Sequence, residues 1–289
     1  MAQTNWKRYS LACLLALPFL TGAALAADLP TKKGPPPAPY APAFTWTGFY
    51  AGVNGGYDWS DAKLNLDPFG SWLTDPFETG IPAFVAQQDS RGLNPAGFLA
   101  GAQIGYNWQT GPIVLGVEAD ADYTALHAGG LTGVMQTPPG TTPEPYAFQE
   151  NARSNWLVTL RPRVGYAFDR ILLYATGGLA IANYSYTSGY IHDPGPPGYG
   201  NEASMGSSSS TLVGWALGAG AEYALTDHWT VKGEYLYADL GKAPGFQTAE
   251  NPSRFVGQVG GVPGPAFYSA AHSSSLTENV VRLGVNYKF

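Results

Sequence analysis

Charged residues are scarce in this chain of 289 residues. Asp, Glu, Lys and Arg make up 12% of it, about half of the ~25% that is typical of soluble globular domains. The 15 Lys and Arg are outnumbered by 21 Asp and Glu, for a net charge of −6. Nucleic-acid binding requires clustered Lys and Arg. We therefore expect no nucleic-acid partner, and the low charge is also unusual for a soluble enzyme.

Cysteine is nearly absent, and the single one, Cys13, lies in an N-terminal segment with the form of a signal peptide. Lys7 and Arg8 precede an apolar stretch at 11–20, and Ala24-Leu25-Ala26 provides the small residues that a signal peptidase reads. We predict a signal peptide over residues 1–26 and an exported mature protein. Because cleavage removes Cys13, the mature chain must fold without disulfides.

Residues 27–43 form a proline-rich segment that follows the predicted cleavage site. Such a composition favours an extended, solvated polyproline II spacer. We predict a periplasmic linker here, and a plain disordered tail is the alternative.

Long apolar runs are missing from residues 44–289, so the sequence predicts no transmembrane helix there. The chain instead alternates with a period of two: Val281, Leu283 and Val285 share one face, and Arg282 and Gly284 share the other. Segments of about ten alternating residues are what a tilted membrane-spanning strand requires. Eight such segments lie near 45–59, 97–109, 112–126, 154–168, 171–186, 211–225, 228–240 and 278–289.

These segments predict an all-β fold, an antiparallel up-and-down barrel of eight strands over residues 44–289. Only a closed barrel can place strands in lipid, because an open sheet edge would leave backbone groups unsatisfied. The expected location is the outer membrane of a Gram-negative bacterium, and the expected surroundings are outer-membrane lipids.

The connections between the segments alternate between short and long. Thr110-Gly111, Asp169-Arg170 and Thr226-Asp227 are predicted tight turns, which fits the short periplasmic turns of outer-membrane barrels. Pro162 lies within a segment and predicts a bulge or a lost ladder bond. Four long, proline-rich extracellular loops are predicted at Ser60–Pro95, His127–Arg153, Thr187–Ser210 and Gly241–Thr277.

Aromatic residues are predicted to form two bands where the barrel meets the membrane interfaces. The periplasmic band contains Phe49, Trp108, Phe168, Trp229 and Phe289, and the outer band contains Tyr57, Tyr123, Trp156, Tyr184 and Tyr237.

The inward faces of the predicted strands carry charged residues of both signs. An eight-stranded barrel is barely wide enough for its own side chains, and unpaired charges inside it would be very costly. We predict a salt-bridged plug; a small selective conduit with these charges as its filter is the alternative. The predicted network contains Glu118, Asp120, Asp122, Arg161, Arg163, Glu222, Lys232, Glu234 and Arg282.

The strand segments together resemble a known family. The residues that carry the resemblance are FTWTGFYAG at 44–52, GGY at 55–57, GAQIGYNW at 101–108, GVEAD at 116–120, RVGYA at 163–167, DR at 169–170, YATGG at 174–178, YLYADLG at 235–241 and VNYKF at 285–289. They are similar to the alphaproteobacterial outer-membrane immunogenic protein family, the RopB-like porin-family barrels within the OmpA-like eight-stranded superfamily.

The resemblance implies two further sites. In similar proteins a C-terminal aromatic residue, with apolar residues two and four positions earlier, is read by the barrel-assembly machinery, and Val285, Tyr287 and Phe289 fit this pattern. Similar barrels are joined to peptidoglycan through a mature N-terminus that begins Ala-Asp, which implies attachment at Ala27. The implied function is a structural role in envelope integrity and surface interaction. A narrow porin-like passive channel for small solutes is the alternative.

An enzymatic function has little support in the sequence. His127, His192, His228 and His272 form no pair with metal-ligand spacing, and we expect no catalytic, cofactor or metal site. The run His272-Ser273-Ser274 is similar to the His/Ser pairing of lipid A deacylase barrels and is the one enzymatic alternative. No ligand for the extracellular loops is identified from the sequence.

Overall fold

A computed structural model describes residues 44–73, 80–140, 143, 145–192, 202–250 and 268–289. The predicted signal peptide at 1–26 and the linker at 27–43, with Cys13 and Ala27, lie outside the described residues. No helix in the described part of the chain is long and apolar enough to cross a membrane.

Eight long antiparallel strands close into a ring, as the alternation predicts. Each long strand pairs with its neighbour in chain order, and β10 pairs with β1 from Tyr50–Lys288 to Gly70–Tyr268 to complete the barrel. Two further strands of two residues each, β2 and β5, pair with β1 and β6. The strands are β1 Gly48–Gly70, β2 Gly92–Leu93, β3 Ala96–Thr110, β4 Ile113–Leu131, β5 Met135–Gln136, β6 Pro145–Phe168, β7 Ile171–His192, β8 Glu202–Ala224, β9 Trp229–Glu250 and β10 Tyr268–Lys288.

At the membrane level, apolar side chains point outward and polar side chains point inward. In β10, Val281 and Leu283 are exposed on the outer wall, whereas Arg282 between them is buried. Small inward residues make room for large ones, since a Cβ at Gly105 would overlap the Tyr50 hydroxyl. The arrangement is the one expected of a lipid-embedded barrel whose lumen is packed with its own side chains.

The strands continue well beyond the membrane, which corrects the predicted loop boundaries. Strands of 19 to 24 residues, such as β4 and β6, exceed the ~9–11 residues that cross a bilayer. The predicted loop Ser60–Pro95 begins as strand up to Gly70 and then contains a short 3₁₀ helix, Ser71–Leu73, and the helix α1, Ile81–Asp89. All four predicted long loops are thus partly strand, and the first also contains helix.

The extension was missed because the polarity of the alternation inverts above the membrane. Beyond the exposed Trp59, outward positions become polar, as at Asp61 and Lys63, while inward positions become apolar, as at Leu64 and Leu66. Outward residues face the polar headgroup region and water there, and inward residues pack on each other. The period of two is unbroken in β1, but the row of apolar outward side chains that marks a membrane strand ends at Trp59.

Helix α1 packs into the outer mouth of the barrel. Its apolar residues Ile81, Phe84 and Val85 are buried and lie in a cluster with residues of the strand extensions, including Tyr146 and Tyr190. Gly80 precedes the helix with a φ of 86°, a left-handed conformation that favours glycine. The helix therefore occludes the mouth from the extracellular side.

Two local predictions had mixed outcomes. The strand register is continuous through Pro162, so no bulge forms, but the pairing with β7 skips Arg161 and Pro162, as the missing N–H of proline dictates.

The prediction that Tyr184 belongs to the outer aromatic band is wrong, because the alternation of β7 places its side chain inside the barrel. The five residues predicted for the periplasmic band are all exposed on the outer wall.

Candidate functional site

The candidate site is a layer of charged side chains that fills the lumen at the membrane level. The strand alternation turns each of these side chains inward, and every one is at most 4% exposed. The structure brings all nine of the predicted residues to this layer: Glu118, Asp120 and Asp122 on β4, Arg161 and Arg163 on β6, Glu222 on β8, Lys232 and Glu234 on β9, and Arg282 on β10.

Arg282 has the largest number of acidic partners in the layer. Its Nη1 lies 2.6 Å from Asp122 Oδ2 and 2.9 Å from Asp120 Oδ1, and its Nη2 lies 2.7 Å from Glu234 Oε1. The guanidinium therefore links strand β10 to β4 across the lumen and to the neighbouring strand β9. Charge-assisted pairs at these distances are among the strongest hydrogen bonds in proteins.

Arg161 shares two of these carboxylates. Its Nη2 lies 2.8 Å from Asp120 Oδ2, and its Nη1 lies 3.1 Å from Glu234 Oε1. Asp120 and Glu234 each bridge the two arginines, so removal of either arginine leaves them one cationic partner. Asp122 has no ion pair among the described residues other than the one with Arg282.

Lys232 and Arg163 neutralise the periplasmic side of the layer. Lys232 Nζ donates to both Glu118 oxygens at 2.7 and 2.8 Å, and Tyr50 donates its hydroxyl to Glu118 Oε2 at 2.8 Å. Arg163 Nη1 lies 3.2 Å from Glu222 Oε2. The Arg163 guanidinium also lies over the rings of Tyr50 and Tyr174, at 4.8 and 5.1 Å from their centroids.

Sequence reasoning missed several inward residues that complete the layer. Tyr50 and Tyr174 donate to Glu118 and Glu234, and Asn107 Oδ1 accepts from Arg163 Nε at 2.8 Å. Asp58 and Glu278 are fully buried and make no ion pair with any described residue. The one sequence feature that could have identified them is the alternation, because each of these residues occupies an inward position in its strand.

A second polar cluster ties helix α1 to the barrel wall above the membrane. Ser188 Oγ donates to Asp89 Oδ2 at 2.7 Å and lies 2.9 Å from His272 Nδ1, and Thr248 Oγ1 lies 2.9 Å from His272 Nε2. Burial lowers the pKa of His272 to about 4. Burial and the nearby Asp89 raise the pKa of Glu150 to about 8.

The contacts of His272 differ from the pairing with Ser273 or Ser274 that the enzymatic alternative requires. His272 bonds Ser188 and Thr248, while the side chain of Ser274 bonds the Tyr184 hydroxyl at 2.7 Å. Asp89, Ser188 and His272 are each at most 2% exposed, beneath helix α1. The arrangement holds the helix in place, and a substrate would have to displace the helix to reach it.

The two ends of the described chain lie at the periplasmic mouth. Trp46 is buried in a cluster with Val114 and Leu172, and its Nε1 donates to the Asp169 carbonyl at 3.2 Å. At the C-terminus, Phe289 N donates to the Phe49 carbonyl at 2.9 Å. The side chains of the predicted assembly signal, Val285, Tyr287 and Phe289, are exposed on the outer wall.

Sequence comparison decides the family. Residues 12–289 match the outer membrane protein beta-barrel domain family. The chain belongs to this family. It is 32% identical over 283 residues to the 31 kDa outer-membrane immunogenic protein of Brucella melitensis biotype 1, covering 95% of this chain and 97% of that protein. It is also 28% identical over 254 residues to the 22 kDa outer membrane protein of Rhizobium leguminosarum bv. viciae, covering 87% and 82%.

The barrel also resembles solved structures of outer-membrane proteins. The outer membrane protein OprG of Pseudomonas aeruginosa is 13% identical with a TM-score of 0.41, over 85% of this chain and 98% of that one. A likeness at this level carries no argument about function. Family membership places this barrel in the outer membrane and confirms the resemblance to the immunogenic proteins.

Proposed function

We propose that this barrel is a non-conducting structural protein of the outer membrane, tethered to peptidoglycan at Ala27, whose strand extensions form a surface for extracellular contacts. One observation carries the proposal: buried side chains occupy the described lumen at every level. From the periplasm outward these are the Trp46 cluster, the charged layer, an apolar cluster around Leu157 and Leu236, and helix α1. Such packing favours a role in envelope integrity over transport, and we propose no catalytic role.

A narrow passive channel for small solutes is the second candidate. The observation that favours it is an excess of acid in the lumen: Asp58 and Glu278 join the five carboxylates of the charged layer, against its four cationic side chains. Charge of one sign lining a narrow path is how cation-selective pores are built.

Conductance in planar bilayers separates these two candidates. The mature chain, shown to be folded by its heat-dependent mobility on detergent gels, is added to bilayers in which a known porin gives steps. We expect no conductance steps. Reproducible cation-selective steps would overturn the structural proposal and establish the channel.

The geometry of the periplasmic mouth supports the tether. Phe44, the first described residue, lies beneath two cations, with Lys288 Nζ at 4.7 Å and Arg170 Cζ at 5.2 Å from its ring centroid. Trp46 anchors the same segment inside the mouth. The predicted linker at 27–43, which lies outside the described residues, directly precedes this anchored segment in the chain.

Isolated cell walls of the native host test the tether. Walls are boiled in detergent and washed, and the protein is blotted before and after muramidase digestion. We expect release only after digestion, with a wall fragment on Ala27 detected by mass spectrometry, and a smaller retained fraction for the matched variant Asp28→Asn. Full release in the first wash would rule out a covalent tether.

A further inference from the structure

A polar cleft opens on the outer wall of the barrel, away from the lumen and α1. The β6–β7 pairing shifts register between Arg153 and Leu157, which marks a β-bulge. The bulge is capped by Asn183, whose Oδ1 accepts from the backbone N–H groups of Asn155 at 2.8 Å and Trp156 at 3.0 Å. Above it lies a cleft of about 470 Å³.

The cleft lies at the level of lipid headgroups. Tyr123 and Trp156 pair across β4 and β6 in the outer aromatic band, and His127 pairs with Arg153 on the same two strands. His127 is four residues beyond Tyr123, about 14 Å along a strand and roughly 10 Å in height for a barrel strand tilted by 35–45°. An outward side chain at this height faces the headgroup region of the outer leaflet.

The chemistry of the cleft suits an anion. Arg153, His127, Ser185 and Ser209 form a row across four paired strands, with Ser185 Oγ donating to Ser209 Oγ at 2.7 Å. No acidic residue lines the cleft. The described arginines other than Arg153 each have a carboxyl group within 4.0 Å, whereas Arg153 has none among the described residues.

The opposite side of the barrel differs at the same height. Four residues beyond Tyr57, β1 carries the exposed Asp61, and Lys63 follows two residues later on the same face. A cation there has an acidic neighbour on its own strand. At this height on β1 the positive charge therefore has an acidic neighbour, whereas no acidic residue lines the cleft around Arg153.

We propose that this cleft binds a phosphate monoester, supplied by the phosphorylated glycolipid headgroups of the outer leaflet. Arg153 offers the planar fork of donors that matches phosphate oxygens, and the imidazole of His127 and the hydroxyls of the serine row offer further donors. Inorganic phosphate shares this chemistry and is the competing source.

Histidine NMR of the full mature chain in neutral phosphatidylcholine nanodiscs tests the site. The chain has four histidines, and a His127→Gln variant assigns the resonance of His127. Three probes are compared: bisphosphorylated lipid A in the disc, dephosphorylated lipid A in the disc, and inorganic phosphate in the buffer. The variant Arg153→Gln is compared with Lys63→Gln, which removes an exposed charge from the other side of the barrel, and both are checked for folding by heat-dependent gel mobility.

We expect bisphosphorylated lipid A to shift the His127 resonance and dephosphorylated lipid A to leave it unchanged. Arg153→Gln should weaken the apparent affinity about tenfold or more, as loss of a charge-assisted contact implies, and Lys63→Gln should not. Saturation by inorganic phosphate at an equal concentration would support the anion site but assign free phosphate as its source. Equal shifts with both lipids, or an Arg153→Gln variant that binds like the parent, would overturn the proposal.

Discussion

Replacement of Arg282 by Met is the sharpest perturbation of the charged layer. Met keeps the unbranched apolar stem of the side chain but removes the guanidinium that contacts Asp120, Asp122 and Glu234 at 2.6 to 2.9 Å. Asp120 and Glu234 retain Arg161 as a partner. Asp122 loses the one ion pair it has among the described residues.

The expected cost follows from the burial of these groups. Removing one partner of a buried ion pair leaves an uncompensated charge and typically destabilises a protein by about 3–5 kcal/mol. That is a large fraction of the roughly 5–15 kcal/mol that separates folded from unfolded domains. The double variant Arg282→Met with Asp122→Asn should recover part of the loss, because it also removes the orphaned carboxylate.

Urea unfolding of the barrel in phospholipid vesicles measures the effect. The matched control is Arg170→Met, which breaks a 2.9 Å ion pair with Asp227 that lies exposed at a periplasmic turn and should cost about 0–1 kcal/mol. A loss below about 1 kcal/mol for Arg282→Met, similar to that of the control, would show that water solvates the lumen charges and would refute the reasoning.

Three further predictions concern the outer cluster and the two chain ends. The pKa of Glu150 is raised from its ordinary 4.5 to about 8, so the folded state holds a proton that the unfolded state releases between these values. Stability should therefore fall as pH rises from about 4.5 to about 8, by at most about tenfold in the unfolding constant per pH unit, and level off above that. Glu150→Gln should reduce the change of the urea midpoint with pH between pH 6.5 and 8.5. A pH dependence equal to that of the parent would contradict this assignment. Trp46→Ala should cost about 3–5 kcal/mol in the same unfolding assay, as expected for a buried tryptophan, and a loss under about 1 kcal/mol would show that the mouth packs without it. Phe289→Ser should lower the yield of barrel in the outer membrane of cells while leaving in vitro refolding intact, and normal yield would argue against an assembly signal at the C-terminus.

The fold could be predicted because the sequence of each membrane strand reflects the surroundings of its two faces. Lipid on one side and a narrow lumen on the other impose a period of two, and Val281, Arg282 and Leu283 display it without knowledge of any other strand. Proline is rare in the membrane-level strand segments, and the turns are short on one side, so the order of the strands could be predicted as well. The inward direction of Glu118, Arg161 and Arg282 is a property of each strand taken alone.

Above the membrane the same reasoning failed, since water replaces lipid outside the barrel. Leu64 and Leu66 point inward there and Asp61 and Lys63 point outward, so an apolar outward row no longer marks the strand. Helix α1 has only nine residues and is held by contacts with residues far away in sequence, such as Tyr146 and Tyr190. Nothing in its local sequence specifies those contacts.

The sequence by itself determined the barrel, its location and the nine charged residues of the lumen layer. Only the tertiary structure decided which charges meet: Arg282 with Asp120, Asp122 and Glu234, Lys232 with Glu118, and Arg153 with no acidic neighbour among the described residues. The alternation of a strand sets the direction of a side chain, which is local, whereas its height in the lumen depends on the register of all eight long strands around the closed ring. That register, and the bulge that opens the cleft above Trp156, are properties of the assembled sheet.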